Sequence, residues 1–358
     1  MRIATVLGNR PQFVKAAAVC APLRARHEEI LVHTGQHHDP ELSAIFFSEL
    51  GLPEPDHQLE IAGGSNSSQL GRMLEALQPL LARLAPDLVL LYGDTNSTLA
   101  GALAAADAGI AVAHVEAGMR AHDRTLPEER NRVLTDQLSA LLLCSSPAAA
   151  EQLARESAPG HAVVVGDVMV DVALATRERA LARTEPLQRL GVQPGGYVLV
   201  TAHRAANVDQ PAALERLVTL LEALAPVAGT LVMPLHPRTL ERLERHGLYD
   251  RAAAAASLTS PLGYLDFAAL LHHARAVLTD SGGVQKEAYL AGVRCVTLRE
   301  STEWGETVAA GWNALVGLDA AAALAALARP LPTERPPLWG DGRAGAAVVA
   351  AIEAHAAA

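Results

Sequence analysis

Lysine is almost missing from this chain: among 29 basic residues only Lys15 and Lys286 are lysines, and arginine takes every other basic position. The two survivors therefore stand out as candidates for specific work. Cysteine is scarce as well, and Cys20, Cys144 and Cys295 are far apart with no Cys-x-x-Cys pair, which speaks against a disulfide framework or a zinc site. A reducing cytoplasm fits that usage. No run approaches 18 consecutive strongly apolar residues, and the start "MRIATVLGNRPQF" enters a strand-like run with no basic-then-apolar leader, so we expect neither a membrane span nor a secretion signal. Surplus positive charge is absent too. A formal net charge of -10 argues against sequence-independent nucleic-acid binding, which needs basic surface to displace phosphate counterions. A local basic pocket can still hold a small anion.

What is present is length and apolar content, 358 residues at 50% hydrophobic, enough for two α/β domains. Strand-like runs recur at 2–7, 29–34, 87–92, 110–115, 141–144 and 162–166, separated by Ala/Leu/Arg-rich stretches of helical spacing such as 68–84. A second series follows at 197–202, 230–235, 276–280, 294–298 and 314–318. Continuous apolar strands alternating with helices predict parallel sheets covered on both faces. The expectation is therefore a pair of doubly wound, Rossmann-like domains, 1–176 and 190–340, joined through the charge-, Pro- and Gly-rich 177–196 stretch. A terminal helix in 341–358 would return toward the first domain. Two such halves facing each other would enclose one cleft, with ligands at the carboxyl ends of the strands. A literal Gly-x-Gly-x-x-Gly at 340–345 is discounted as a dinucleotide site, because "RPPLW" before it is no strand and too little chain follows to complete a βαβ unit.

The strand ends carry the chemistry. After the first strand, "GNRPQFVK" puts Gly8 in a tight turn, Pro11 in the first helical turn, and the cations Arg10 and Lys15 near a helix N-terminus. After the second, "TGQHHD" supplies His37 and His38; His33 and His37 are four apart, yet no third ligand has metal-site spacing. After the third, Asp94 lies on the turn of "GDTNSTLAGALAA", either as an ordinary helix cap or as a reactive carboxylate. "HVEAGMR" then adds Glu116, and "PEERNR" opens a helix with Glu128 and Glu129. Acids from three successive motifs on one sheet edge, opposite Arg10 and Lys15, favour catalysis over capping. In the second half, His203 and Arg204 follow a strand in "HRAAN", His236 follows the next in "PLHPR", and "TDSGGVQKEA" opens a helix with free amides after Asp280. That turn suits a diphosphate without a P-loop lysine. Glu287 lies nearly two turns further along the same helix.

Taken in order from residue 8 to about 345, these motifs, together with "PLGYLDFAALL" and "RESTEWGETVAAGWNALVG", resemble the non-hydrolysing UDP-N-acetylglucosamine 2-epimerases. The resemblance implies a GT-B-like two-domain fold, a cytoplasmic homodimer, no metal and no NAD. It also implies site roles: Asp94, Glu116 and Glu128 as acid/base groups, with His203 near the breaking bond. Arg10, Lys15, His236, Ser281 and Gly282 would hold the diphosphate, Gly283 would complete the turn, Glu287 would hold the ribose and Phe267 would pack near uracil. The chemistry accounts for these groups. A sugar C2 hydrogen is not acidic, so the carbon is activated either by NAD oxidation of a neighbour or by loss of UDP from C1; no credible NAD site exists here, and the second route needs carboxylates on two sides of the sugar and retention of the departing diphosphate.

The chain departs from the family pattern in places. Ala206 stands where Glu is common, and His33 with "SNSSQ" replaces groups that in many bacterial members bind a second, activating UDP-sugar. "STEWGETVAAGWN" looks closer to a branch that includes archaeal enzymes and epimerases of UDP-2,3-diacetamido-2,3-dideoxyglucuronate. A uronate would want an added cation, for which Arg120 and Arg299 are candidates. A GT-B glycosyltransferase would share the diphosphate turn without needing the acidic cluster, and a non-catalytic nucleotide-sugar sensor would tolerate its conversion to amides.

Overall fold

The computed structural model describes residues 1–36 and 47–357, so His37 and His38 lie outside the described residues. The chain divides into two compact units, Met1–Leu174 with Trp339–Ala358, and Ala175–Leu338. In the first, strands β1 (Arg2–Leu7), β2 (Glu28–His33), β3 (His57–Gln58), β4 (Leu88–Tyr92), β5 (Ala111–Ala117), β6 (Leu141–Cys144) and β7 (His161–Val164) form a sheet of order β3-β2-β1-β4-β5-β6-β7. All its pairs are parallel. In the second, β8 (Tyr197–Thr201), β9 (Thr230–Pro234), β10 (Ser257–Thr259), β11 (Ala276–Thr279), β12 (Arg294–Thr297) and β13 (Asn313–Leu315) run β10-β9-β8-β11-β12-β13, again parallel throughout.

Both orders reverse beside the first strand of their unit. At such a switch point the following loops leave toward opposite faces and open a crevice beyond the strand ends. In the first unit these are the loops after β1 and β4; in the second they are the loops after β8 and β11. The central strands are the apolar runs of the sequence: Leu88 to Tyr92 and Tyr197 to Val200 are almost wholly buried. Edge strands β3 and β10 were not expected from sequence, since they are short, partly exposed and carry no continuous apolar run.

The stretch expected to connect the domains is largely helical. Helices Val168–Leu181 and Glu185–Leu190 fill it, and the division between units falls inside the former. Pro186 is tolerated in the first turn of the second helix, which ends on Gly191 in the left-handed conformation at φ 64°. The Gly-rich 340–345 segment also has a packing explanation. It introduces the Ala344–Ala356 helix, whose first amides donate to Asp171: Ala344 N to Oδ1 at 3.1 Å and Gly345 N to Oδ2 at 2.8 Å. This helix N-terminus is thus filled by the chain's own carboxylate. A Cβ on Gly345 would fall on the Ala18 carbonyl oxygen of the Arg10–Arg24 helix.

No described helix is long and apolar enough to cross a membrane, no metal-ligand cluster occurs among the described residues, and all three cysteines are buried free thiols. Gly345→Val should destabilise the first unit by about 1–3 kcal/mol, the range for forced overpacking. A lower urea midpoint with an unchanged unfolding transition for the second unit is the expected result.

Candidate functional site

In the second unit, one buried carboxylate ties the two switch-point loops together. Asp280, directly after β11, accepts from the backbone of His203 (3.1 and 3.0 Å), the backbone of Arg204 (2.9 Å) and Asn207 Nδ2 (3.0 Å). Thr201 and Thr279 join their hydroxyls at 2.6 Å one step earlier. The His203 side chain is thereby delivered to the rim, where its ring stacks on His236 with centroids 5.1 Å apart. His236 is the N-cap of the Pro237–Arg245 helix, and its Nδ1 accepts from Arg238 N. Its Nε2 therefore carries the proton and is a donor.

Ser281 caps the Gly282–Ala291 helix by position only. Its side chain makes no cap hydrogen bond, whereas Asn9, Thr95, Ser146, His236 and Asp319 all bond an amide of the helix they begin. The first-turn amides of Gly282, Gly283 and Val284 cannot bond within the helix, so the turn offers donors and the positive end of the dipole to an anion. A loop that follows β12 flanks it. A Cβ on Gly282 would come 3.4 Å from Trp304 Nε1 and 3.6 Å from Glu303. Glu303 takes two bonds from Arg299 (2.9 and 3.1 Å) and lies 3.7 Å from Arg204. Lys286 is buried with its ammonium 4.1 Å from the Trp304 ring centre, a cation–π contact under that loop. Gln285 accepts from Thr302 and Asn313, which fixes the loop to the helix. Glu287 follows on the same helix, and burial pushes its carboxyl up to about 7 although the Lys286 charge pulls it down. Phe267, on the Tyr264–His273 helix, is partly buried against the core that includes Leu270 and Leu271.

In the first unit, the loops after β1, β4 and β5 meet. Gln12 Oε1 accepts from Gly8 N, and its Nε2 donates to the Tyr92 carbonyl and the Thr98 hydroxyl, locking the loop after β1 onto the loop after β4. Arg10 opens the Arg10–Arg24 helix, half-buried. Lys15, one turn on, forms an ion pair with Glu116 in which both side chains are largely buried. The pair lies against Gly93, where a Cβ would sit 2.8 Å from Lys15 Nζ and 3.4 Å from Glu116 Oε2, and whose φ of 64° also requires glycine. Glu116 itself has φ 72° within an irregular stretch of β5 between Val115 and Ala117. For a residue with a Cβ this conformation costs on the order of 1–3 kcal/mol and persists only where surroundings impose it.

Capping does not account for Asp94. Thr95 is the N-cap of the Asn96–Asp107 helix and forms a reciprocal box with Thr98, leaving the Asp94 carboxylate to pair with Arg132. Arg132 also holds Glu129 at 2.8 Å, and Glu129 accepts from the amides of Ala121 (2.9 Å) and His122 (3.0 Å). Asn131 Nδ2 donates to the Asp94 carbonyl at 3.0 Å. Glu128 sits in the first turn of the Pro127–Leu138 helix, half-buried, and its side chain makes no hydrogen bond or ion pair with another described residue.

Sequence reasoning missed the groups behind these loops. Asp136, fully buried, accepts from His114 Nδ1 (2.7 Å), Gly118 N (3.2 Å) and Arg120 Nη1 (2.8 Å). Burial alone would raise its carboxyl, but bonds and charges from His114 and Arg120 outweigh that and hold it below the usual carboxylate range. A signal existed: His114 interrupts an otherwise apolar strand, and a buried imidazole requires partners. Arg120 also bonds Glu156, and Arg299 is committed to Glu303, so both arginines considered for a uronate are already neutralised within the chain. His33 is buried, stacks on Phe13 at 5.1 Å and accepts from Gly35 N, and burial lowers its imidazole to about 4.

The fold is GT-B-like, and comparison with known proteins supplies the class of enzyme. Residues 22–353 match the family described as UDP-N-acetylglucosamine 2-epimerase, so the chain belongs to that family and is an isomerase. It is 46% identical over 320 residues to a UDP-N-acetylglucosamine 2-epimerase homolog of Methanococcus maripaludis, covering 88% of this chain and 89% of that protein. It is 45% identical over 322 residues to the UDP-2,3-diacetamido-2,3-dideoxy-D-glucuronate 2-epimerase of Pseudomonas aeruginosa, covering 88% of each. The crystal structure of Methanocaldococcus jannaschii UDP-GlcNAc 2-epimerase in complex with UDP-GlcNAc and UDP superposes with TM-score 0.93 at 36% identity, over 99% of this chain and 100% of that one. A Polygonum tinctorium UDP-glucosyltransferase, TM-score 0.60 at 14% identity over 99% and 92% of the two chains, shares the fold alone.

Because Glu287 titrates near 7 in the folded chain and about 4.5 when unfolded, the native state retains a proton that the unfolded chain releases between those values. Its contribution to stability is therefore lost as pH rises from about 4.5 to 7 and does not return above that. Denaturant midpoints of Glu287→Gln and the parent should show the variant gaining on the parent at pH 8 relative to pH 5.

Proposed function

We propose that the chain interconverts UDP-N-acetylglucosamine and UDP-N-acetylmannosamine by eliminating and re-adding UDP. A carboxylate removes the C2 proton as the C1–oxygen bond breaks, the bonding electrons leave with UDP, and the sugar becomes a 2-acetamidoglucal. Re-addition reverses this, with oxygen of the diphosphate returning to C1 and a proton delivered to the opposite face of C2. Asp94, Glu116 and Glu128 are the acid/base groups. The Ser281–Gly283 turn receives the diphosphate, with His203 and His236 beside it and Arg10, Lys15 and Arg204 as supporting cations. Glu287 accepts from the ribose hydroxyls, and Phe267 packs near uracil. Two copies of the chain form the working enzyme.

The observation that carries this reading is the state of Asp94 and Glu116. Neither is used to cap a helix, and each carboxylate is paired with a basic side chain, Glu116 with Lys15 and Asp94 with Arg132. The uncapped Ser281 turn supplies what a departing diphosphate needs, donors already oriented before the bond breaks. Family membership supports the reaction class; a GT-B glycosyltransferase shares only the fold.

One specific observation favours a second substrate, UDP-2,3-diacetamido-2,3-dideoxyglucuronate, which is that of a relative 45% identical to this chain. Against it, Arg120 and Arg299 have their charges satisfied internally.

Incubation with UDP-N-acetylglucosamine in heavy water should put deuterium at C2 of both epimers by NMR, with traces of UDP and glycal. Conversion without exchange would point to an internally retained hydrogen and count against two-sided proton transfer, and faster turnover of the diacetamido-uronate would reassign the substrate. Asp94→Asn, Glu116→Gln and Glu128→Gln should each lower turnover by about two orders of magnitude or more, the scale of lost acid/base catalysis, while UDP binding stays within a few-fold. Equal loss of both would refute the assignment.

A further inference from the structure

His114 poses a hydrogen-bonding problem with one good solution. Its ring is sealed from solvent, with Nε2 2.7 Å from the Gly93 carbonyl oxygen and Nδ1 2.7 Å from Asp136 Oδ1. A carbonyl can only accept. Asp136 Oδ2 already takes Arg120 Nη1 at 2.8 Å and Gly118 N at 3.2 Å, the bonds of an ionised carboxylate. A neutral imidazole has one donor nitrogen and would face an acceptor with a lone pair at the other. The charges agree with this. Asp136 and Glu156 are two anions, Arg120 is one cation, and a second cation at His114 balances this linked set.

The position of this group gives it a task. His114, Gly118 and Arg120 flank Glu116 on both sides along the chain, and all three converge on Asp136, which comes from the helix that also carries Glu128, Asn131 and Arg132. His114 reaches from β5 to the residue before Asp94, and Gly93 N returns a bond to the Val115 carbonyl at 3.0 Å. The other charged pair near Gly93 is Lys15 with Glu116. We propose that His114 is held as an imidazolium donating from both ring nitrogens, and that Asp136 acts through it as a positioning residue that keeps Glu116 in its left-handed backbone conformation beside Asp94. The proposal rests on the reading of Glu116 as an acid/base group. It requires that this carboxylate be aimed by its backbone, since a side chain leaving an extended strand would emerge in a different direction.

Nitrogen-15 NMR of the histidine rings in the intact enzyme tests the charge directly. A slowly exchanging ring with protons on both nitrogens from pH 6 to 9, absent from His114→Gln, is expected. A His114 ring with one bare nitrogen in that range overturns the proposal. Asp136→Asn keeps the volume but turns an NH2 toward Arg120 or Gly118. It should lower kcat on the order of 10²-fold, the scale of a misplaced reacting group, with KM and UDP affinity within about threefold. Asp136→Asn with parental kcat overturns the positioning role if Glu116→Gln is inactive; if Glu116→Gln is itself active, the acid/base reading fails instead. The wild-type ring spectrum needs no variant to fold, and His114 can then be identified by its bond to Asp136 in a selectively labelled sample.

Discussion

A buried carboxylate that accepts main-chain N–H groups is the interaction on which both units depend. Where parallel strands end, their amides and carbonyls emerge with no neighbour to continue the ladder, and a loop left to itself would place its side chains loosely. Asp280 solves this in the second unit by collecting the amides of His203 and Arg204 from the adjacent strand end. Glu129 does the same for Ala121 and His122, and Asp136 for Gly118. Each anion is buried, and each of these bonds runs to a strand-end loop, so the geometry of the candidate groups is inherited from neighbours they do not touch. An ionised acceptor makes stronger hydrogen bonds than a neutral one, which suits it to restraining backbone that has no sheet to lean on.

The charges in the first unit are arranged in linked sets of opposite sign. Lys15 answers Glu116, and Arg132 is shared by Asp94 and Glu129. An ion pair removed from water gains little net stability, and breaking one partner away is costly. Such pairs are better suited to fixing where carboxylates point than to holding the fold together. That task falls to apolar layers such as the one around Leu77, Leu81 and Leu91.

Much of this was legible in sequence because the responsible signals are local. Continuous apolar strands gave the two sheets, and a Ser-Gly-Gly turn opening a helix marked an N-terminus with spare amides, as found at Ser281. Other features were illegible because they depend on partners distant in the chain. Asp94 and Thr95 are both good caps by residue type, and only the fold shows that Thr95 caps while Asp94 meets Arg132. Arg120 and Arg299 read as spare cations until Glu156 and Glu303 are placed beside them. The edge strands β3 and β10 have no pattern of their own and exist because a neighbouring strand offers an open side.

Asp171 and the helix it caps carry a consequence for how the chain is made. The first unit is assembled from two stretches of sequence, with the second unit lying between them as an insertion. On the ribosome its sheet is translated early, but the surface around Ala18 stays uncovered until the Ala344–Ala356 helix has emerged. The second unit, being contiguous, can complete itself sooner, so the order of synthesis and the order of completion are reversed.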